Sequence, residues 1–474
     1  MLETIAAAYS GFIGSISNYL YTYILIVLLV AGGIYFTVRT KFVQFRFLPE
    51  SIRIVMQPSE DQNSISAFKT LMVSTASRVG TGNIAGISTA ICLGGTGAVF
   101  WMWVTALLGS ATAFVEGTLA QIYKKRAKDG SCYGGPAYYI EQALKQRWLG
   151  VLFAVVMILT YMVGFNLVAS FNIADSLKAY SFYDPTLTPW IVGIVLAVVF
   201  LVCISGGGKQ IANITAVLVP VMGVLYLAVT LFVVFTHISL IPAVFASIFR
   251  NAFNFQAIFG GFVGSALMQG IKRGLFSNEA GIGAAACAAG SAGVSHPAKQ
   301  GLVQVLSVFI DTIVVCTATA MLLLCSGVDP TAEAAGMPFV QQAMAGTLGQ
   351  FGVIFITVAL FLFAFTTLLG NFYYAEMGLG YICNKTPGST LIHAFRILAA
   401  VIVCFGATME FSVAWDTADV LMGLMAIINL PVIILLAKPA ILCMDDYIKQ
   451  KRAGKNPVFK AADINLEDDT DFWK

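Results

Sequence analysis

Apolar residues fall in eleven blocks along the chain, separated by short polar stretches. The blocks lie at about 19–38, 66–93, 97–123, 149–177, 189–205, 210–236, 255–292, 298–325, 347–381, 391–407 and 417–437. Each is close to the ~20 residues that a helix needs to cross a bilayer. Block 255–292 is too long for one straight helix and is expected to be broken or partly re-entrant. Two connections read as amphipathic surface helices: 135–147 on the inner side and 242–253 on the outer side. After Asp445 the chain turns polar, and 445–474 is expected to form a flexible cytoplasmic tail. The pattern predicts an all-α polytopic membrane protein, a single transmembrane domain over 1–474 with eleven crossings and no soluble domain.

Composition agrees. Hydrophobic residues make up 58% of the 474 and charged residues 11%, against roughly 25% charged in soluble domains. Mean hydropathy is +0.84. The net charge of +3 matters less than where positive charge sits, because cytoplasmic loops collect Lys and Arg. With the N-terminus outside, fifteen such residues from Arg39 to Arg396 fall in inner loops, and seven more from Lys438 to Lys474 at the C-terminal end. Only Lys178 and Arg250 fall outside. The bias predicts N-terminus out and C-terminus in, in a cell inner (plasma) membrane. An odd number of crossings then follows. Trp101, Trp148, Trp190 and Trp415 fall at block ends, where interfacial anchors belong.

Catalytic and metal signals are missing from the sequence. The nine cysteines form no CxxC pair and read as small buried hydrophobes. His237, His296 and His393 are too scattered for a metal site. No HExxH, Walker A or GxSxG element occurs, so an enzyme is not expected. The first 18 residues lack the basic stretch of a cleaved signal peptide.

Two blocks carry residues that a crossing helix does not ordinarily need. Arg78-Val-Gly-Thr-Gly-Asn83 places two glycines, an arginine and an asparagine within block 66–93. Glycine lets a helix unwind, and a charge at membrane depth points to function. Block 255–292 contains Arg273-Gly-Leu-Phe-Ser-Asn278-Glu-Ala-Gly-Ile282. The two share R-x4-N-x-A-G-I at a shift of 195, and nearby blocks follow the same shift. Five blocks (66–236) therefore repeat as five (255–437), with 19–38 as an extra N-terminal helix. By the charge topology the repeat is inverted. Interrupted helices at matching places in two inverted halves are the best sequence pointer to a transporter's binding site. Breaks are expected at about 78–83 and 270–278.

The breaks carry complementary chemistry. Gly80, Thr81 and Gly82 can present N–H groups at the start of a half-helix near Ile84, which attracts a carboxylate. Leu275, Phe276 and Ser277 are expected to free carbonyls that suit an ammonium group. Together they read as a receptor for a zwitterionic amino acid; the plainer alternative is a pair of glycine kinks without a ligand. Thr366 and Thr367 offer hard oxygens that can hold Na⁺ together with unwound carbonyls. A lone threonine would more simply bond its own i−4 carbonyl. Asn83 and Asn278 read as ties to neighbouring helices. Arg78, Lys272, Arg273, Glu279, Glu116, Asp175, Asp311 and Glu376 either pair with one another or gate the pathway.

The stretch Gly94–Gly109, GGTGAVFWMWVTALLG, resembles the signature of the alanine or glycine:cation symporter family. The GTGN break, FSNEAG at Phe276–Gly281 and FAFTTLLG at Phe363–Gly370 are similar to the same family, and the likeness covers nearly the whole chain. It implies a LeuT-type fold and sodium-coupled import of small neutral amino acids, with Na⁺ as coupling ion and no organic cofactor. By similarity, substrate contacts fall on Thr81, Gly82, Phe276 and Ser277. The sodium site would use carbonyls of Ala76, Val79 and Phe363 and the hydroxyls of Thr366 and Thr367. Two positions expected to face the substrate depart from the family. Ala169-Ser-Phe171 replaces a Gln-Ser-Asn or Gln-Ala-Asn run, and Asn371 replaces a tryptophan. The smaller Asn371 enlarges the pocket and would admit serine or glutamine besides alanine and glycine. A channel would need a ring of selectivity residues. A proton-coupled symporter would need a carboxylate beside Thr366, and none is adjacent in the sequence.

Overall fold

The computed structural model describes every residue except 1, 59–63, 128–129, 255–264, 385–386, 467–469 and 474. The start of the seventh block (255–264), Lys128, Lys385 and Lys474 therefore lie outside the described residues. The chain is helical nearly throughout. A two-residue antiparallel ladder, Lys125–Arg126 against Cys132–Tyr133, closes one loop.

In chain order the main helices are α1 (Ala8–Arg39), α2 (Leu48–Val55), α3 (Ala67–Arg78), α4 (Gly82–Gly94), α5 (Ala98–Ile122) and α6 (Pro136–Leu144). Then come α7 (Arg147–Ala179), α8 (Thr188–Ile204), α9 (Gly207–Thr236), α10 (Ile241–Ala252), α11 (Ala266–Asn278) and α12 (Ala284–Gly290). Last are α13 (Pro297–Cys325), α14 (Met337–Cys383), α15 (Ser389–Gly406), α16 (Phe411–Leu435) and α17 (Ala437–Arg452). Gly349, at φ 60°, interrupts α14, so its crossing part begins just beyond.

Eight of these are long and apolar enough to cross a membrane: α1, α5, α7, α9, α13, α14, α15 and α16. The remaining three predicted blocks fall on shorter helices. Block 66–93 is α3 plus α4, block 189–205 is α8, and block 255–292 includes α11 and α12. Helices stand where the two surface helices are expected, as α6 and α10, but α6 has no exposed residue and packs into the bundle rather than lying on a surface. Rows of exposed valines on α8 and α9, such as Val195, Val199, Val217 and Val224, form an apolar exterior that lipid would cover.

Local chemistry sets the ends. Ser66 caps α3 by accepting from Lys69 N (3.2 Å), and Ser265 caps α11 by accepting from Met268 N (3.2 Å). The two broken helices thus begin with the same device. Small residues let helices approach. A Cβ on Gly301 of α13 would stand 2.3 Å from Thr118 Oγ1 of α5.

The first break lies where expected, at Val79–Thr81 between α3 and α4. The second does not. Expected at about 270–278, it follows Asn278, because α11 stays helical through Leu275, Phe276 and Ser277. The unwound residues are Glu279 to Gly283, with φ 53° at Glu279, 100° at Gly281 and 88° at Gly283. Positive φ is cheap for glycine and stops the helix there; Phe276 and Ser277 carry no such residue.

The tail is also different from the expectation. Helix α17 runs on through Asp445. The chain then folds back: Phe459 N donates to Ser295 O (2.9 Å), and Trp473 Nε1 donates to Gln121 O (2.7 Å). Phe459 and Trp473 are buried, and Lys124 Nζ lies 4.0 Å from the Phe472 ring centroid. Aromatic burial and cation–π contact hold a segment whose composition reads as polar coil.

Candidate functional site

The two breaks meet at mid-chain depth between α7, α13, α14 and α16. Gly82 faces α11 so closely that a Cβ would stand 3.0 Å from Phe276 Cδ1 and 3.5 Å from Ser277 Cα. The Phe276 ring packs 4.8 Å from Phe165 and 4.8 Å from Trp415. Trp415 is buried here rather than at an interface, a correction to its reading as an anchor, because α16 begins before the predicted block. At the start of α4, its capping residue Thr81 and its first residue Gly82 have N–H groups that helix geometry leaves without intrahelical partners. Gly80 does not: its N–H donates to Asn83 Oδ1 (2.8 Å).

Beside the aromatic patch lies a polar one. Asn371 Nδ2 donates to Asn166 Oδ1 (3.0 Å). Ser77 Oγ donates to Glu279 Oε1 (2.9 Å) and stands 3.3 Å from Asn371 Oδ1. Asn166 Nδ2 is buried without a hydrogen-bond partner, and Tyr161 OH, Tyr374 OH and Glu279 Oε2 are buried without a well-formed one, Tyr161 standing beside Glu279 and Tyr374 beside Ser74. Native interiors rarely leave such groups unpaired, so their concentration here marks a place where a polar ligand would be satisfied. Ala169 is buried on α7, a turn beyond Asn166, and no polar contact ties it to the breaks. Tyr161, Phe165 and Asn166 are the α7 residues that reach the site. Sequence reading missed them because Leu159–Phe165 forms a π-turn, which shifts the facing positions.

The expected sodium ligands converge. Thr367 Oγ1 lies 3.3 Å from Ala76 O and 3.0 Å from Phe363 O, and Thr366 Oγ1 lies 2.9 Å from Phe363 O. A Cβ on Gly80 would stand 2.0 Å from Thr367 Oγ1. Val79 is buried directly between Arg78 and Gly80 in the unwound turn. Thr367 Oγ1 and the Ala76 and Phe363 carbonyls, all hard neutral oxygens, thus meet against the first break. Thr366 Oγ1 shares the Phe363 carbonyl and also faces Met222 Sδ (3.6 Å), and both hydroxyls bond a carbonyl of their own helix, as the plainer alternative expects. That donor set fits a monovalent hard cation.

Charges divide into two groups. Lys272 and Arg273 on α11 meet Asp419 on α16 (2.8 and 2.5 Å), Lys272 also reaches Asp416 (3.5 Å), and Arg273 lies 4.5 Å from the Trp415 centroid. Asp175 pairs with Lys178 (2.8 Å) and Glu376 with Arg396 (3.6 Å). Glu116, Glu279 and Asp311 are buried and none forms an ion pair among the described residues. Glu116 accepts from Asn429 Nδ2 (2.5 Å) and Gly281 N (3.3 Å), so it holds the second break in shape. Arg78 Nη1 donates to Gln304 Oε1 (3.2 Å). A cavity of about 660 Å³, lined in part by Lys69, Lys209, Asn213 and Tyr373, opens on the face that carries the C-terminal segment.

Two discontinuous helices joined around a buried polar pocket, with a hydroxyl–carbonyl cluster against one break, define a secondary transporter of LeuT type. MhsT, solved in complex with L-phenylalanine, shares the fold at a TM-score of 0.51 and 14% identity, covering 86% of this chain and 93% of that one. The chain belongs to the sodium:alanine symporter family, whose model matches residues 6–461. It is 44% identical over 463 residues to the probable sodium/glutamine symporter GlnT of Bacillus subtilis, covering 97% of this chain and 95% of the relative. It is 43% identical to the amino-acid carrier protein AlsT of Bacillus subtilis, covering 97% and 96%. It is 37% identical to the sodium/alanine symporter AgcS of Methanococcus maripaludis, covering 90% and 94%. The family is one of transporters, not enzymes.

Proposed function

We propose that the chain is a sodium-driven symporter that imports a small neutral amino acid across the inner membrane by alternating access. The observation that carries the reading is the meeting of Thr367 Oγ1 with the Ala76 and Phe363 carbonyls against Gly80, with Thr366 Oγ1 on the same Phe363 carbonyl, one turn from the Gly82–Phe276 contact. An ion held there steadies the break whose next residues, Thr81 and Gly82, offer N–H groups to a carboxylate. Ser277 and the C-terminal carbonyls of α11 lie opposite and suit the ammonium end. Asn371, with Asn166 and the buried Tyr161 hydroxyl, leaves polar room beyond the α-carbon. That room and the likeness to a sodium/glutamine symporter favour glutamine or serine alongside alanine and glycine.

The Lys/Arg bias puts the tail-bearing face in the cytoplasm and the N-terminus outside. The 660 Å³ cavity is then a vestibule on the release side. Sodium entering down its gradient brings about 2.3 kcal/mol per charge per 100 mV of potential. Purified protein in proteoliposomes should accumulate one or more of alanine, glycine, serine and glutamine only under an inward sodium gradient. Uptake indifferent to sodium overturns the reading. A proton-coupled reading draws on the buried Glu116, Glu279 and Asp311, none of them ion-paired. It predicts that an inward proton gradient alone drives the same uptake.

A further inference from the structure

Asp311 stands on α13 within the π-turn Phe309–Cys316; it is not itself among the residues assigned above to ion or substrate, but it bonds one of them, Ser277. It is fully buried, and its carboxylate touches both broken helices. Oδ1 accepts from Asn83 Nδ2 (2.7 Å) on α4, and the Asp311 main-chain oxygen accepts from the same amide (3.1 Å). Oδ2 accepts from Ser277 Oγ (2.6 Å) on α11 and from its neighbour Thr312 Oγ1 (2.7 Å). With its amide nitrogen held there, Asn83 turns its oxygen to the Gly80 N–H (2.8 Å). Gly80 in turn abuts Thr367 Oγ1. A continuous chain of contacts therefore runs from the hydroxyl cluster to the second broken helix: Thr367 packs against Gly80, and hydrogen bonds lead on through Asn83 and Asp311 to Ser277, with a longer direct Asn83–Ser277 contact (3.4 Å) beside them.

We propose that Asp311 and Asn83 form a relay that couples the sodium site to the amino-acid site. The proposal rests on the sodium-symport reading above. Asp311 acts as a positioning residue. An ion drawn in by Thr367 and the Ala76 carbonyl fixes Gly80, and Gly80 fixes the Asn83 amide. Asp311 carries that constraint to Ser277 on the other helix. Only a carboxylate serves, because three donors converge on it and an amide at 311 would turn its own NH₂ toward one of them. The burial of an unpaired anion is costly, so its presence at the junction of two helices calls for a role. The π-turn supplies the geometry: the inserted residue swings Asp311 between the breaks.

The test is a thermodynamic coupling measurement. Purified full-length protein is titrated with L-alanine and with L-glutamine, without sodium and at saturating sodium. Sodium binding alone is read as a thermal shift. In the wild type, sodium should tighten amino-acid binding by about tenfold or more. In Asp311→Asn that ratio should fall toward one, while the constant for sodium alone and the sodium-free amino-acid constants stay within about threefold. Thr312→Val removes one donor to Oδ2, leaves both helix contacts, and should give an intermediate ratio; it decides the matter if Asp311→Asn does not fold. An unchanged ratio in either folded variant overturns the relay, as does loss of both separate affinities with the ratio kept. A wild-type ratio of one overturns the sodium-driven reading itself, and the relay with it.

Discussion

Gly80 offers the sharpest test of the sodium site. A methyl group there would stand 2.0 Å from Thr367 Oγ1 and 3.2 Å from Thr367 Cβ. Turning the hydroxyl away relieves the first contact but not the second. It also removes Oγ1 from Ala76 O (3.3 Å) and Phe363 O (3.0 Å). The other relief is for the break to retreat from α14, which carries Ala76 O out of reach. Either response falls on the proposed ion site. Overpacking of this kind costs about 1–3 kcal/mol, and 1.4 kcal/mol is about a factor of ten. Gly80→Ala should therefore weaken sodium by roughly 5- to 150-fold. The assay is a sodium titration of L-alanine and L-glutamine uptake in proteoliposomes, with a thermal melt to show the variant is folded. Gly82→Ala is the contrast: its methyl meets Phe276 and Ser277, not Thr367. It should raise the amino-acid KM and leave the sodium constant alone. A folded Gly80→Ala protein with the wild-type sodium constant would refute the placement.

Three further outcomes follow from the geometry. Asp419→Asn leaves Lys272 and Arg273 buried without their shared anion, a loss of about 3–5 kcal/mol; the melting temperature should fall sharply, and adding Lys272→Met should restore part of it. Trp473→Ala removes a buried aromatic from its seat on Gln121 and Lys124, at a cost of about 3 kcal/mol; an unchanged melt would show that the C-terminal segment is not docked. Partial burial works against the charge on Glu50, but Lys451 (2.8 Å) and Tyr447 (2.9 Å) outweigh it and hold its carboxyl below the usual value. A lowered folded value stabilises above the unfolded one and is lost as pH falls through the folded one. Glu50 is part-exposed and screened, so Glu50→Gln should cost no more than about 1 kcal/mol at neutral pH, and the two melts should converge only as the pH falls below the usual glutamate range.

The helices, the repeat and the first break were legible because hydrophobic length and glycine act locally. Ala76, Phe363, Thr366 and Thr367 were legible through a resemblance, and the distances bring them together. The second break was misplaced because the shared R-x4-N motif looks alike in both halves. What decides is which glycines take positive φ, and those are Gly281 and Gly283, downstream of the matched arginine. Phe165 and Asn166 were hidden because π-turns leave no periodic mark; Asp311 was visible in the sequence as a charge, but a second π-turn, Phe309–Cys316, sets which helices it meets, and that was not. The docked tail was hidden because Phe459, Phe472 and Trp473 find their seats only on distant loops; its own composition says coil.

The two motif arginines illustrate how one sequence element takes two jobs. Arg78 ends α3 and donates to Gln304 on α13; Gln304 Nε2 donates back to Ser74 Oγ on α3 (3.1 Å). Asp311 on the same α13 holds Asn83 and Ser277. Helices α3, α4, α11 and α13 are thus laced into one unit, and Arg78 is a brace within it. Arg273 sits well before the end of α11 and reaches outward to Asp419 on α16. Its guanidinium lies over Trp415, which covers Phe276. Any movement of α16 that uncovers Phe276 must break the Asp419 pairs with Lys272 and Arg273. The difference traces to where each helix unwinds: immediately after Arg78, but only past Asn278 in the second half. That displacement of the break along matched sequences turns a repeated arginine into a brace to α13 on one side and an ion-pair tie to α16 on the other.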